Sequence, residues 1–500
     1  MELVQNFPLL SIIIMTSCGA ICTLLKGKAA KWYCLVCLAA TLALNLFAFF
    51  YTLQNGAYVY FMGRWSAPWG NEIKVGVIEA LLASAFAFVM ILSVLGGLEH
   101  ILEDVESTKV NLYFVMIAFL MLTLLILVYT NDIFTAYVFV EINTIASCAL
   151  VMMRYKPGKT LVATTKYMIM SLLGSSLFLF AVCILYNITG HLLMEPMGQE
   201  VRRLYAEGQY LFPLTVAIAF MGVGLSIKGA LFPFHTWLPD AHGSATTTSS
   251  AVLSGLVLKG YIFLLIKIYC RVIGLDVLAG DHMPDVLFLF GAAAMVIGSV
   301  RAMQQTDLKR LLAYSSISQV GYIFVGLGLG TEAGIAAAIV QILAHAVTKP
   351  MLFCAAGGFM NVSGGSRKLQ DMTGAGRRDP LSGAAFLVGV FSMIGIPLFA
   401  GFITKLTLTQ AALGHGSVKC VLALIVIIVS TVLNALYYIP TVSTLFSARN
   451  DLTLYRNRYA HYHVPYVAAM VLFMIVNICV GTLAGPLLEA IYAGLPSLGM

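Results

Sequence analysis

Charged residues are scarce in this chain. Only 10% of its 500 residues are Asp, Glu, Lys or Arg, whereas 60% are hydrophobic. Soluble domains carry about 25% charged residues, so an ordinary water-exposed surface is excluded. Instead, the sequence has apolar runs of roughly 20 residues, each long enough to cross a hydrocarbon core about 30 Å thick. Because backbone groups in lipid must bond internally and the runs lack the alternation of a β-barrel, we expect membrane-spanning helices.

Recognisable cofactor and metal sites are also missing. The ten cysteines lie almost wholly in apolar runs, and the C-x-x-C of Cys34 and Cys37 has apolar neighbours. Metal or redox chemistry needs ionisable, reachable thiols. We find no haem or iron–sulfur ligand set, dinucleotide fingerprint, nucleophile–base arrangement or cluster of carboxylates for a metal. We therefore expect no cofactor, no metal and no chemistry of the chain's own, and the net charge of +7, spread over short loops, indicates no nucleic-acid partner.

Glycines, prolines and charged clusters divide the chain into about fourteen apolar spans, and no linker separates them. Their predicted limits are 8–25, 33–54, 76–97, 110–130, 132–153, 162–187, 210–230, 244–270, 284–300, 309–329, 333–359, 381–413, 419–446 and 464–492. The first span has no basic start and no small-residue cleavage site, so we interpret it as permanent rather than as a signal peptide. The fold prediction is an all-α polytopic membrane protein with one transmembrane domain over residues 1–500.

Basic residues in the loops predict the orientation. Alternate loops contain Lys26, Lys28, Lys31, Lys109, Arg154, Lys156, Lys159, Lys166, Arg301, Lys309, Arg310, Arg367, Lys368, Arg377, Arg378, Arg449, Arg456 and Arg458. The other loops contain Arg64, Lys74, Arg202, Arg203, Arg271 and Lys419. This bias of about three to one places the first group in the cytoplasm and both termini outside.

Five lysines remain when the loop residues are removed: Lys228, Lys259, Lys267, Lys349 and Lys405. An ionisable group at membrane depth costs at least about 2.5–3.5 kcal/mol, so it is retained when it faces water, is paired or acts. A buried amine near a carboxylate can gain and lose a proton, whereas arginine stays charged. The alternative is that these lysines snorkel or tie helices together, which is the favoured interpretation for Lys267 near its span's end.

Several of these groups lie at helix breaks or share helix faces. Lys228 begins KGALFPFHTWLPDAH at the end of the seventh span, and Lys405 ends GIPLFAGFITK in the twelfth. Broken spans in corresponding halves indicate a transport site at a repeat interface. A weaker similarity between the two halves is that Asp132 and Asp307 stand at the starts of spans five and ten. Further candidates for the proton path are His235, Asp240 and His242 at the first break, and Lys349.

Polar residues in the central spans predict hydrated half-channels. In span eight, Thr248, Gly255 and Lys259 fall on one helix face behind a run of hydroxyl residues. In span eleven, His345 and Lys349 share a face, and His345 is either a bonded core residue or a proton carrier. Possible water contacts in span ten are Tyr314, Ser315, Ser316, Ser318 and Gln319.

Together, Glu141 alone in the fifth span, KGALFPFHTWLPDAH, Lys259, AHAVTKPMLF and GIPLFAGFITK resemble the antiporter-like subunits of respiratory complex I. Mrp-type sodium/proton antiporters and membrane-bound hydrogenases have similar subunits, and the resemblance covers nearly the whole chain. It implies two inverted five-helix repeats, helices 4–8 at about 110–270 and helices 9–13 at about 284–446, with helices 7 and 12 broken. It also implies a Glu141–Lys228 pair, a central relay at Lys259 and a terminal lysine at Lys405.

Chain length and the lysine in the twelfth span are most similar to the D subunit of an Mrp antiporter. We expect a proton-translocating subunit in a prokaryotic cell membrane, with other membrane subunits as partners. Protons would pass along Lys228 and Lys259, past His345, to Lys405, with Glu141 as the gate. Three alternatives stay open: a pumping subunit of a redox complex such as a hydrogenase or NADH:quinone oxidoreductase, a catalytic quinone or hydrogenase subunit, and a structural scaffold. Passage of sodium through this chain is also open.

Overall fold

The computed structural model describes residues 2–65, 70–154, 158–414, 418–448 and 459–500. Four basic residues used for the orientation, Lys156, Arg449, Arg456 and Arg458, lie outside these ranges. Within them, 13 helices are long and apolar enough to cross a membrane, and two shorter helices share one further crossing. The prediction of a multi-pass helical membrane protein is therefore confirmed.

The long helices follow the predicted spans closely. In the first half they are α1 (Phe7–Leu24), α2 (Gly27–Asn55), α3 (Val77–Gly96), α4 (Val110–Tyr129), α5 (Ile133–Met152), α6 (Lys159–Thr189), α7 (Leu211–Lys228) and α8 (Thr247–Ile273). In the second half they are α9 (Met283–Met303), α10 (Leu308–Gly328), α11 (Glu332–Asn361), α14 (Val418–Phe446) and α15 (Val464–Thr482), with the shorter helices α12 (Pro380–Ile394) and α13 (Ala400–Leu413) before α14 and α16 (Ala484–Gly494) after α15.

Short elements connect the long helices. The short helices are Glu2–Gln5, Leu98–Asp104, Met194–Ala206, Leu238–Ser244, Leu275–Gly280 and Ala375–Arg378, with 3₁₀ turns at Met62–Arg64, Ser107–Lys109, Phe234–Trp237, Leu369–Met372 and Leu495–Leu498. A hairpin that the sequence did not predict joins α2 to α3. Its strands β1 (Tyr58–Phe61) and β2 (Glu72–Val75) pair antiparallel, with Tyr58 opposite Val75.

Three helices form the centre of the bundle. The apolar stretches of α8 and α11 are 100% buried and that of α10 is 94% buried, whereas only 28% of the stretch of α14 is buried. Helices α1, α2, α6, α14 and α15 therefore present apolar side chains outwards, as surfaces in contact with lipid or another membrane subunit do. Ionisable groups on α8, α10 and α11 are shielded from that apolar exterior.

Two aspartates occupy matching places in the two halves. Asp132 caps α5 and accepts a hydrogen bond from the backbone N–H of Thr135 at 2.5 Å. Asp307 caps α10 and accepts one from the backbone N–H of Arg310 at 3.1 Å. Five crossings separate the two caps, so they lie at opposite faces of the bundle. Inverted repeats require this opposite orientation, and the repeats themselves stay a prediction.

Both termini lie on one face of the bundle. The carbonyl of Gln5 accepts a hydrogen bond from Tyr58 at 3.5 Å, just after the end of α2. The carbonyl of Ser497 accepts one from Arg271 at 2.9 Å, at the end of α8. An even number of crossings separates the end of α2 from the end of α8, so these two helix ends lie at the same face. Because each terminus lies beside one of them, both termini are at that face. That this face is the outer one remains a prediction.

Some cations outside the predicted spans are buried as well as the five lysines within them. Lys309 is buried in the first turn of α10 and donates to the carbonyls of Ala245 and Thr246 at 2.7 and 3.3 Å. Arg271 is buried as well, and its Nη2 lies 2.8 Å from Oε1 of the equally buried Glu79. Both cations lie near helix ends, where hydropathy predicts loops but neighbouring helices cover the side chains.

Candidate functional site

Two crossings are interrupted at the predicted places. Helix α7 ends at Lys228, and the chain turns through Pro233 and Pro239 before α8, whereas α12 and α13 are separated by residues 395–399. Each break contains a non-glycine residue in the left-handed region, Ala230 with φ 56° and Leu398 with φ 80°. Such a conformation costs roughly 1–2 kcal/mol, so packing around each break must hold it in place.

Lys228 is enclosed at the end of α7. Its ammonium donates to the hydroxyl of Thr144 at 2.5 Å and lies 5.5 Å from the ring centre of Tyr261. The carboxylate of Glu141, less than one turn before Thr144 on α5, attracts Lys228 through space. Among the described residues, however, no ion pair joins Glu141 to Lys228 or to any other cation. The predicted pair is therefore adjacent but not in direct contact.

Lys259 lies at the centre of the bundle and is 0% exposed. Its ammonium donates to the carbonyl of Ser254. This carbonyl is available because residues Leu253–Val257 form a π-helical turn, a local irregularity that recurs at functional sites. The hydroxyl of Ser254 is 2.8 Å from that of Ser316 on α10, so the surroundings of Lys259 extend to the second half.

The π-helical turn of α8 packs against a proline in α11. A Cβ atom on Gly255 would meet Cγ of Pro350 at 2.4 Å, so only glycine fits at this contact. Pro350 has no N–H, which leaves the carbonyl of Ala346 without its usual helical partner. The two central helices are therefore both irregular at the same level, where carbonyl oxygens can accept hydrogen bonds from a cation.

Lys349 follows on α11 and connects to α10 and α14. Its ammonium donates to the carbonyl of Leu312 at 3.0 Å, to the hydroxyl of Ser315 at 2.8 Å and to that of Tyr438 at 3.4 Å. One turn earlier, His345 is completely buried, and the charges of Lys259 and Lys349 both act on it. Neither ring nitrogen of His345 has a hydrogen-bond partner in the described part of the chain. Buried polar groups are nearly always partnered, so water is expected beside it.

A polar stripe on α14, which the sequence analysis missed, continues from Lys349. Ser315 accepts from Tyr437 at 2.9 Å, Tyr437 also donates to Asn434 at 2.7 Å, and Ser299 donates to Asn434 at 3.3 Å. Two more hydrogen bonds extend the stripe, from Ser299 to Ser318 at 2.9 Å and from Ser318 to Ser430 at 3.4 Å. Ser430, Asn434, Tyr437 and Thr441 recur every three or four residues, a helical pattern that was visible in the sequence.

Lys405 lies beside the second break and is 9% exposed. Its ammonium donates to the carbonyl of Ile394, the last residue of α12, and to the hydroxyl of Thr431 at 3.0 Å. It also lies 5.7 Å from the ring centre of Tyr322. No carboxylate in the described ranges forms an ion pair with it. Because Thr431 follows Ser430, the polar stripe of α14 ends next to Lys405.

The structure separates the secondary candidates. His242 is completely buried, and neither of its ring nitrogens is hydrogen bonded within the described residues, whereas His235 is mostly buried and stacks on a phenylalanine of the break. Asp240 instead lies at the surface, where it accepts from Lys166 at 2.8 Å and Arg310 at 3.1 Å. This clamp joins α6 to α10, so Asp240 is not in contact with the buried lysines.

Lys267 joins two helices through hydrogen bonds, from α8 to the end of α4. Its ammonium donates to the carbonyls of Leu127, Val128 and Thr130 at 2.7–2.9 Å. These are the last carbonyls of α4 and the residue after it, which have no intrahelical partner. The three bonds account for this buried amine structurally, in agreement with the interpretation favoured from the sequence.

Broken helices that hold lysines inside a multi-pass bundle define a membrane protein of the ion-transporting kind. The family model described as NADH:quinone oxidoreductase/Mrp antiporter, transmembrane, matches residues 130–433. The NADH-quinone oxidoreductase subunit N of Desulforudis audaxviator is 30% identical over 448 residues, which are 88% of this chain and 86% of that protein. The chain therefore belongs to the NADH:quinone oxidoreductase/Mrp antiporter family, and the resemblance inferred from the sequence is confirmed.

Other similar proteins include both kinds of complex. The putative antiporter subunit mnhD2 of Staphylococcus aureus is 28% identical over 422 residues, covering 83% of this chain and 81% of that one. A subunit of an archaeal membrane-bound sulfane sulfur reductase has a TM-score of 0.88 at 24% identity, covering 100% of this chain and 98% of its own. A subunit of the Mrp complex of a Dietzia species has a TM-score of 0.85 at 22% identity with the same coverage. The last two likenesses establish the fold alone.

Proposed function

We propose that this chain is the proton-translocating subunit of a multisubunit cation/proton antiporter. The observation that carries this proposal is that Lys228, Lys259, Lys349 and Lys405 lie in the bundle interior and donate only to neutral oxygens. A buried amine tied to a carboxylate is fixed in its charged form, whereas one held by hydroxyls and carbonyls can be charged or neutral. These four lysines therefore have the chemistry of a proton relay.

The proposed path runs from the first break to the second. A proton held on Lys228 passes to Lys259, then past His345 and Lys349, and leaves near Lys405. From Lys349 onwards, the polar stripe of α14 provides hydroxyl and amide groups in sequence. Between Lys228 and Lys259 the transfer requires movement of a side chain or internal water.

Glu141 is proposed as the gate of the first half. Its half-buried carboxylate attracts Lys228 without touching it. If Glu141 moves towards the amine, the proton affinity of Lys228 rises, and if it moves away, the proton is released inwards. The driving force would come from a sodium gradient or from a partner subunit.

The second candidate function is proton pumping within a redox complex. It is favoured by the 30% identity to a subunit of an NADH-quinone oxidoreductase. In both cases we propose that the outward-facing apolar helices bind other membrane subunits in a prokaryotic cell membrane, with both termini outside. Purification of the assembled complex separates the two functions, since only a redox complex oxidises an electron donor.

The gate is tested in vesicles that contain the assembled complex. Glu141→Gln keeps the side-chain volume but removes the charge, so we expect proton flux to fall about tenfold or more, because the charge no longer drives loading of Lys228. The readout is a pH-sensitive dye, with the assembled complex quantified in the same vesicles. Glu106→Gln, which alters an exposed carboxylate paired with Lys109, is the matched control. Near-normal flux in Glu141→Gln would remove the gate.

A further inference from the structure

An open cavity of about 910 Å³ lies on the face of the bundle that the loop charges assign to the cytoplasm. It lies between the end of α3 and the starts of α12 and α15. The charged and imidazole groups that line it are those of Lys31, Glu99, His100, Glu103, Asp379, His461 and His463, and the phenols are those of Tyr459, Tyr462 and Tyr466. None of the residues in the proposed relay lines this cavity, so its chemistry needs a separate explanation.

The rim of the cavity is accessible to water and can exchange protons. Nε2 of His463 lies 3.1 Å from Oε1 of Glu99, and 70% of the His463 side chain is exposed. Burial and the neighbouring carboxylates of Glu99 and Asp104 raise the pKa of Glu103. Histidine is the side chain that ordinarily gains and loses a proton near physiological pH. The rim therefore has the composition of a proton-collecting surface.

His100 forms the floor of the cavity. It is 6% exposed, and a Cβ atom on Gly357 of α11 would meet its Nε2 at 2.6 Å and Cγ2 of Thr247 at 2.8 Å. His100 therefore lies against α11 at Gly357, and the methyl group of Thr247, at the start of α8, approaches the same glycine. Burial lowers the pKa of His100 to about 4. Asp104 opposes this shift, and Lys309 and Arg154 add to it. The neutral ring has one nitrogen that accepts a proton and one that donates.

Two further titratable side chains, those of His242 and Lys349, lie along α11 beyond His100. Gly357, Phe353 and Lys349 are four residues apart, about 6 Å per step along the helix. The ring of His242 stacks on Phe353 at a centroid distance of 4.9 Å, which puts it level with the turn between His100 and Lys349. The charges of Lys259, Lys309 and Lys349 all act on His242.

The hydroxyls at the start of α8 border the same route. Thr247 and Thr248 are buried, and their side-chain oxygens have no hydrogen-bond partner among the described residues. Thr247 approaches Gly357 beside His100, and the hydroxyl of Thr248 approaches Gly97, three residues before His100, so both threonines lie close to the buried end of the cavity. Buried polar atoms of this kind are normally bonded to water, so the lining is suited to a hydrated path.

We propose that this cavity is a proton-entry site and that His100 passes protons from its rim, through His242, to Lys349. A proton from the rim binds the unprotonated nitrogen of His100, and the proton on the other nitrogen leaves towards His242, so charge and protons balance at each step. This inference rests on the proposed function, because it supplies the relay from the cytoplasm. It gives the second half of the molecule an entry that does not use Lys228.

The test uses vesicles with the assembled complex and the cytoplasmic face accessible. His100→Gln keeps a polar side chain of similar length but cannot carry a proton. We expect proton flux at pH 8 to fall about tenfold, since general acid–base groups commonly contribute 100-fold or more. The deficit should shrink at pH 6, where free protons are more abundant. It should also shrink when imidazole, which fits the cavity, is added to the cytoplasmic side.

Two further variants keep the outcomes distinct. His282→Gln, on a histidine whose side chain is 96% exposed before α9, should transport normally at every pH. Lys259→Met should be inactive with or without imidazole. Normal flux in His100→Gln at pH 8, or a loss that neither imidazole nor low pH restores, would overturn the entry site while leaving the relay intact. Normal flux in Lys259→Met would instead overturn the proposed function.

Discussion

The two helix breaks are built alike but controlled differently. At each break, a lysine donates to a threonine hydroxyl and lies near a tyrosine ring, 5.5 Å for Lys228 and 5.7 Å for Lys405. Lys228 has a carboxylate nearby, Glu141, whereas Lys405 has instead the carbonyl of Ile394. One chemical group therefore serves both halves, whereas among the described residues an acid acts on the lysine of the first break and none acts on that of the second.

The halves also differ in connectivity. From Lys349, hydrogen bonds between side chains lead through Tyr437 and Asn434 to the neighbourhood of Lys405. From Lys228, the corresponding bonds lead through Thr144 and Tyr261 to Asn143 and on to Thr123 and Ser147, and among the described side chains none of them reaches Lys259. The second half therefore holds its groups in place, and the first half transfers protons only when something moves.

Removing one hydroxyl at each site gives the larger test of this comparison. Thr144→Val takes away the single acceptor that the structure gives Lys228 among the described residues, whereas Thr431→Val leaves Lys405 its bond to Ile394. A hydrogen bond to a charged group contributes about 1.5–3 kcal/mol. We expect proton flux to fall about tenfold in Thr144→Val and about threefold or less in Thr431→Val, because 1.4 kcal/mol corresponds to a factor of ten.

The same vesicle assay supplies the control. Thr407→Val removes a buried hydroxyl that bonds only to carbonyls of its own helix, α13, and should leave flux unchanged. Equal losses in Thr144→Val and Thr431→Val, or a larger loss in Thr431→Val, would show that the two breaks do not differ as described.

The smallest expected effect concerns the backbone of the breaks. Ala230 and Leu398 have positive φ, so Ala230→Gly and Leu398→Gly relieve steric strain. Glycine also loses more freedom on folding, so we expect a net change within about 1 kcal/mol, neutral or stabilising. Thermal unfolding of the purified complex in detergent measures it. Ala217→Gly in α7 is the control and should destabilise by about 1 kcal/mol. Clear destabilisation by Ala230→Gly would show that its methyl group matters more than its φ.

The sequence predicted the class, the breaks and the buried lysines of the spans because each leaves a local signal. Lys228 and Lys405 are polar residues at Pro- or Gly-rich interruptions of apolar runs, and Lys259 and Lys349 lie inside such runs. Their positions in apolar runs were therefore enough to predict that they are buried.

What the sequence did not predict depends on how helices pack. Lys309 and Arg271 occur at span ends, and only the neighbouring helices show that both are buried. Likewise, the π-helical turn that contains Ser254 has no composition signal, and its close packing against Pro350 at Gly255 is visible only in the folded chain. The polar stripe of α14 did have a periodic signal, and it was missed because it contains no charge.

The central claim is that buried lysines held by neutral oxygens carry protons, and two lysines of α8 test it most directly. Lys259 and Lys267 are both 0% exposed and two turns apart, but only Lys267 caps the end of another helix. Proton flux per assembled complex should be abolished in Lys259→Met and unchanged in Lys267→Met, even if less of the Lys267→Met complex assembles. Unchanged flux per complex in Lys259→Met would contradict the account.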